Sequence, residues 1–369
     1  MLKQIALTKI KGVGSKTAHT LLAYCGSVDN IFDASKKQLL SIPNIGNATV
    51  ESILSKNYFH EAEQELAFIE KHNIEILWIE DTNYPHRLKQ CGDAPLLLYY
   101  KGTADLNPHR CVSIVGTRNA TAYGKRLCEE LVSTLHEYNI QIVSGLAYGI
   151  DVQAHRLALK HNIPTIGVLG HGLDRIYPFA HRDIASRMLE DGGLLTEYPS
   201  GTIPDRNNFP ARNRIIAGLA DVTIVVEAAK KGGALITAEI ANSYNRDVCA
   251  FPGGIDQEYS AGCNYLIKTH RAHLIRHADD LIYLMGWEQP KPKQEGIQLP
   301  LLTNSLSKDE QRVYDFLQER EQAPVDEIAY HLDWPTSKLA MILLEMEMNG
   351  ILLSLPGKIY KILSSANRM

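Results

Sequence analysis

Several things are scarce or missing in this chain, and each absence narrows what it can be. No apolar run approaches the roughly 20 residues that a membrane helix requires, so no transmembrane segment is predicted. There is no CxxC pair: Cys25, Cys91, Cys111, Cys128, Cys249 and Cys263 are scattered. That argues against a metal site or a disulfide framework and for reduced, mostly buried thiols. Positive charge is not in excess either. Lysine and arginine number 38 against 42 aspartates and glutamates, a formal charge of −4, so any nucleic-acid contact must be a local patch. The opening MLKQIALTKIKGVG is too polar for a secretory signal, which predicts a cytoplasmic protein.

What is present is an ordinary globular composition, 45% hydrophobic and 22% charged over 369 residues, long enough for two or three domains. We place a helical domain at 1–57, a larger α/β domain with an N-terminal extension at 58–288, a linker at 289–300 and a small domain at 301–369. The first holds two similar units, TKIKGVGSKTAHTLL and LSIPNIGNATVESIL, each with a turn ending in glycine (Gly14, Gly46) before an amphipathic helix. This is the pattern of paired helix-hairpin-helix motifs, whose hairpin amides can hold a DNA phosphate. Only Lys11 and Lys16 add charge there, so a packing module without DNA contact is the alternative. A further amphipathic helix, Tyr58 to Lys71, and the strand-like IEILWIED and DAPLLLYYKG form the extension, expected to pack on the next domain.

From Arg110 to about Leu284 buried strands alternate with amphipathic helices. That order predicts an α/β domain with a parallel sheet covered on both faces. Ligands of such sheets bind at the carboxyl ends of the strands. The first turn is Gly116-x-Arg118 and not GxGxxG, which argues against a nicotinamide or flavin cofactor; with Lys125 and Arg126 opening the next helix it suits a phosphate. In the second, SGLAYGID, Ser144, Gly145 and Gly149 permit close backbone approach, and Asp151 is positioned to cap a helix. His155 follows one turn later. No third ligand at suitable spacing accompanies them, so a cap and a satisfied histidine are expected rather than a metal pair.

The densest chemistry lies between Asp205 and Ala241. Arg206, Arg212 and Arg214 surround the ring of Phe209, and a buried strand, VTIVVEA, then ends in Lys231-Gly232-Gly233 before another helix. Helix N-termini attract anions, arginines hold phosphates, and an aromatic ring gives a base something to stack on. A nucleotide or a nucleic-acid backbone uses all three. The alternative is a basic surface loop beside an ordinary strand-to-helix turn.

Six ordered blocks, SIVGTRNATAYG, SGLAYGIDVQAH, LGHGLDRIYP, LLTEYPSGTIPDRNNFPARNRIIAGLADVTIVVEA, GGALITAEIA and FPGG, closely resemble the DNA-processing family known as DprA or Smf. The likeness runs from Tyr84 to about Leu284, with FPARNRIIAGL its most specific part. It implies a Rossmann-like domain that binds single-stranded DNA, forms a homodimer and loads the RecA recombinase during natural transformation, without catalytic residue, metal or cofactor. Carried over by position, Arg118 holds phosphate, Arg206 takes the basic position before Phe-Pro, and Phe209 meets a base. Arg212, Asn213 and Arg214 shape the same pocket, and Lys231, Gly232 and Gly233 offer backbone amides. Many relatives have Ser-Gly-Ser where this chain has Gly232-Gly233-Ala234, and His181 stands where Asn is common.

An enzyme acting on free nucleotides is the competing class, because related phosphoribohydrolases use a Pro-Gly-Gly turn followed by Gly-Thr and a nearby Glu. Here FPGG (Pro252, Gly253, Gly254) is followed by IDQEYSAG, which lacks that continuation. Glu197 and Glu227 remain as acidic candidates, both expected to be structural. Beyond Trp287, EQPKPKQEGIQLP has linker composition. The tail order of three helices and a hairpin then resembles a winged helix. Its third helix offers Lys338 against Glu345 and Glu347, a poor set for the major groove, so a protein-contact or regulatory module is expected.

Overall fold

The computed structural model describes residues 1–287, 306–320, 322–355 and 357–362. The linker expected at 289–300 lies outside them. The chain divides into two compact units, Met1–Gln289 and Pro290–Met369.

The first unit opens with helices α1 (Leu2–Lys9), α2 (Ser15–Cys25), α3 (Val28–Asp33), α4 (Lys36–Leu40), α5 (Asn47–Ser55) and α6 (Tyr58–His72). As the paired motif predicts, α2 and α5 begin directly after Gly14 and Gly46. Gly12, at φ +85°, makes the first hairpin turn, a conformation open to glycine. Helix α1 packs on α6, where Lys9 pairs with the buried Glu65 at 3.4 Å.

Next come β1 (Glu75–Trp78), α7 (His86–Lys89), β2 (Leu97–Gly102), β3 (Arg110–Val115), α8 (Ala122–Leu135), β4 (Ile140–Ser144), α9 (Ile150–Lys160) and β5 (Thr165–Val168). Then follow α10 (Arg182–Asp191), β6 (Gly192–Thr196), α11 (Asn208–Leu219), β7 (Val222–Val225), α12 (Gly233–Ser243), β8 (Asp247–Ala250), α13 (Ala261–Lys268), β9 (His273–Leu274) and α14 (Ala278–Leu284). The nine strands form one sheet in the order β1-β2-β6-β5-β4-β3-β7-β8-β9. From β6 to β9 neighbours are parallel. The extension does not merely pack beside this sheet: β2 pairs antiparallel with β6, Tyr99 opposite Thr196, and β1 with β2. The result is a mixed, Rossmann-like sheet with an antiparallel margin.

Burial on both faces explains the continuous apolar strands. Along β3, Val112 and Ile114 join an apolar layer with residues of α8, α9 and α14, while Cys111 and Val115 join the layer with α11, α12 and the N-terminal helices. Period-two alternation puts successive side chains on opposite faces. The chain moves outward from β3 to β6 and returns to β7 on the other side of β3. Sheets of this kind bind ligands outside the carboxyl ends of the strands near such a switch point.

The second unit contains α15 (Lys308–Arg320), β10 (Gln322–Pro324), α16 (Val325–Leu332), α17 (Thr336–Met348), β11 (Leu352–Leu355) and β12 (Ile359–Ile362). Val313, Leu317, Ile328, Leu339, Leu343 and Met346 make its core. The hairpin β11–β12 gains β10 as a third strand, giving a winged helix. Three residues are too few to show strand periodicity, which is why QAP was not legible in the sequence.

Candidate nucleic-acid interface

The loops leaving β3 and β7 are stapled together by a carboxylate. Glu227, 2% exposed, accepts from the Thr121 backbone N–H at 2.9 Å and from its hydroxyl at 2.6 Å, while its own carbonyl accepts from Thr117 N–H at 2.8 Å. Thr121 in turn caps α8, its Oγ1 accepting from Gly124 N–H at 3.3 Å. Any side chain at Gly124 would collide with Glu227, since a Cβ would stand 2.0 Å from Oε2.

On this braced rim Arg118 is exposed, its guanidinium carbon 5.7 Å from the centre of the Phe209 ring. Phe209 lies in the first turn of α11 and is half-buried. Gly170, just after β5, leaves room for it: a Cβ there would meet the ring at 3.1 Å. Tyr177, from the loop between β5 and α10, stacks against Phe209 with centres 6.0 Å apart and planes 29° from parallel. The sequence reading missed Tyr177 and Gly170; the only signal was a tyrosine beside a proline in LGHGLDRIYP.

The four arginines and two lysines expected at the site divide by depth. Arg206 is exposed, in the segment leading into α11, and Lys125 is exposed in the first turn of α8; no contact ties either to the ring among the described residues. Lys231 is exposed beside Gly232 and Gly233. Helix α12 begins at Gly233 with no side-chain cap and no acidic residue in its first turn, so its first amides stay available to an anion. A Cβ at Gly232 would meet nothing within 4 Å. Asn213, from α11, donates to Gly233 O at 3.3 Å and ties this turn to the helix that carries Phe209.

Arg212 and Arg214 point elsewhere than the surface role expected of them. Arg212 is 4% exposed and also approaches Phe209, at 6.0 Å. Its Nη1 donates to Gly145 O at 2.6 Å and to Val168 O, and its Nε to Asn213 Oδ1 at 3.3 Å. Burial pulls its pKa down to about 10 against the attraction of Asp151. Arg214 pairs with Glu197 on the other side of the helix, both largely buried. Two residues along a helix turn a side chain through about 200°, so the pair cannot share one pocket.

The turn after β4 is likewise inward. Ser144 is fully buried and donates to Ile114 O at 2.6 Å. A Cβ at Gly145 would stand 2.6 Å from Asp151 Oδ2 and 2.7 Å from Arg212 Nη1; one at Gly116 would strike Ile150 at 2.4 Å. Gly149, at φ +81°, crosses the backbone of the β3 loop, with Thr117 O only 2.1 Å from a Cβ. The close approach anticipated here is protein against protein. Asp151 does not cap α9, which has no side-chain cap; it accepts from Ala147 N–H at 3.4 Å, and burial pushes its pKa up. His155 shares a hydrogen bond with Thr165 Oγ1 at 2.8 Å through Nδ1, while Nε2 has no partner among the described residues.

Fold and site together define a class: a doubly wound α/β protein with a basic, aromatic surface at the carboxyl ends of β3, β4 and β5, a helix-hairpin-helix domain before the sheet in the chain and a winged helix after it. Within that class, the model of the family described as DNA recombination-mediator protein A matches residues 75–286, a SAM-like helix-hairpin-helix tandem matches 5–56, and a DprA winged helix domain matches 298–358. The chain belongs to the DprA/Smf family of DNA-processing proteins. It is 37% identical to protein Smf of Synechocystis over 286 residues, 76% of this chain and 72% of that one. The solved structure of Streptococcus pneumoniae DNA processing protein A superposes with a TM-score of 0.68 at 36% identity, covering 77% of this chain and 97% of that one. DNA processing protein A of Helicobacter pylori, solved for its single-stranded DNA binding mode, gives a TM-score of 0.53 at 30% identity over 57% of this chain and 95% of that one.

Proposed function

We propose that this basic, aromatic surface binds single-stranded DNA through its backbone, without sequence preference and without catalysis. Arg118 and Arg206 contact phosphates, Lys231 and the amides of Gly232 and Gly233 add anion contacts, and Phe209 stacks on a base. The observation that carries this reading is the exposed Arg118 guanidinium over the half-buried Phe209 ring, with no carboxylate paired to it among the described residues. Single-strand binders combine such cations with aromatic stacking surfaces. Arg212 supports the site from beneath Phe209, and Arg214 anchors the far side of α11 to Glu197. By family membership, the bound strand is then handed to a RecA-type recombinase during transformation, with the protein acting as a homodimer.

Nucleotide hydrolysis is the weaker reading, because both acidic candidates are occupied: Glu227 by Thr121 and Glu197 by Arg214. The test is fluorescence anisotropy with labelled oligo-dT and a matching duplex over about 50 to 200 mM salt. Tight, salt-sensitive binding that favours the single strand is expected. Absence of single-strand binding at low salt overturns the proposal and sends the question to free nucleotides.

A further inference from the structure

The loop between β5 and α10 and the turn after β4 display large rings, of which the site above involves only Tyr177. Tyr177 is 50% exposed, Phe179 73%, and Tyr148, from the turn after β4, 48%. These rings are fixed by their neighbours. Tyr177 stacks on Phe209; Arg182 stands 5.9 Å over Phe179; Tyr148 meets His181 edge-on at 4.8 Å. His181 is itself anchored, its Nδ1 within 2.8 Å of Leu146 O. The loop is braced further back, where Gly172 N–H donates to Thr202 O at 3.1 Å and Gly201 N–H to Asp174 Oδ1 at 3.0 Å.

We propose that Tyr177, Phe179 and Tyr148 form a second stacking platform, which carries the same single strand onward from Phe209 along this loop. The inference rests on the single-strand reading and extends it. Continuity argues for that occupant: the first ring of the row is in stacking contact with Phe209, and the next lies two residues on in the chain. Chemistry argues the same way. Beside Phe179 the exposed Arg182 has no carboxylate paired to it among the described residues, so this ring and cation can offer a nucleotide a π-face and a phosphate partner. Such stacking tolerates any base, so the platform lengthens the site without adding sequence preference.

The test compares oligo-dT of about 4 and about 16 nucleotides, the span of known site sizes per single-strand module. Wild-type protein is expected to bind the longer strand more tightly. Phe179→Ala combined with Tyr148→Ala should weaken binding of the longer strand roughly fivefold or more and leave the shorter unchanged. The slope against salt should not move, because no charge is removed. Equal affinity of double variant and wild type for the longer strand overturns the platform alone. Failure of wild type to bind either length overturns the underlying reading instead. With 5-iodouracil strands on the unmodified protein, photocrosslinks at Phe179 or Tyr148 support the path, and crosslinks confined to Phe209 and Tyr177 refute it.

Discussion

Among the described residues two rings lie under pairs of cations, and those cations are held differently. In the winged helix, Lys338 Nζ stands 4.3 Å and the Arg312 guanidinium 5.0 Å from the Trp334 ring. Lys338 is also paired with Asp309 at 2.8 Å. At the sheet, Phe209 has Arg118 and Arg212. Arg212 is consumed by buried carbonyls, but Arg118 faces solvent with no carboxylate beside it among the described residues. A cation over a ring therefore does not make a ligand site by itself. Within the Trp334 cluster the lysine is already neutralised, and Glu345 and Glu347 lie exposed or partly exposed on the same helix. At Phe209 one cation builds the floor and the other stays available.

The contrast can be broken most severely at the floor. Replacing Arg212 by Met leaves the Gly145 and Val168 carbonyls without their donor and removes the buried charge that attracts Asp151. Removing one member of a buried charged set costs about 3–5 kcal/mol, so a large drop in the urea midpoint of the first unit is expected. An unchanged midpoint would mean that Arg212 is not structural.

Acid should loosen the same layer. Burial holds the His155 pKa down, to about 3 from 6.5. The unfolded chain takes up a proton below about pH 6.5 that the folded one refuses, so stability is full above that pH and falls as pH drops toward 3. At pH 5 the loss attributable to His155 is about 2 kcal/mol. Unfolding curves of wild type and His155→Gln should diverge in slope across this range; parallel curves would show that the imidazole titrates freely.

At the two cations themselves the effects shrink and separate. Arg118→Ala should lower single-strand affinity about tenfold and reduce the salt slope by about one, with the melting temperature unchanged. Lys338→Ala should leave that affinity alone and change stability by less than about 1 kcal/mol, as half-exposed ion pairs do. If both variants lost affinity equally, the distinction between an open and a neutralised cation would fail.

How much of this was legible depended on what local sequence encodes. The βα alternation, the hairpin glycines Gly14 and Gly46, and the FPARNR block each announce an element through periodicity or composition, and the elements stand where expected. Side-chain direction was less legible. Arg206, Arg212 and Arg214 look equivalent in sequence, yet only Arg206 is exposed, because the other two fall on opposite flanks of one helix and meet Gly145 and Glu197 from distant parts of the chain. Gly116, Gly145 and Gly149 were legible as positions needing closeness. What they approach, Ile150, Arg212 and the β3 loop, was not.

The sequence by itself determined the strand-and-helix order and the cluster of basic and aromatic residues before β7, since these rest on local propensity and spacing. Tertiary structure alone decided that β1 and β2 extend the sheet, that Tyr177 reaches Phe209, and that Arg118 stays exposed while Arg212 is buried. Those outcomes depend on contacts between residues far apart in the chain, where burial and hydrogen-bond partners, and not residue type, set which charge remains free.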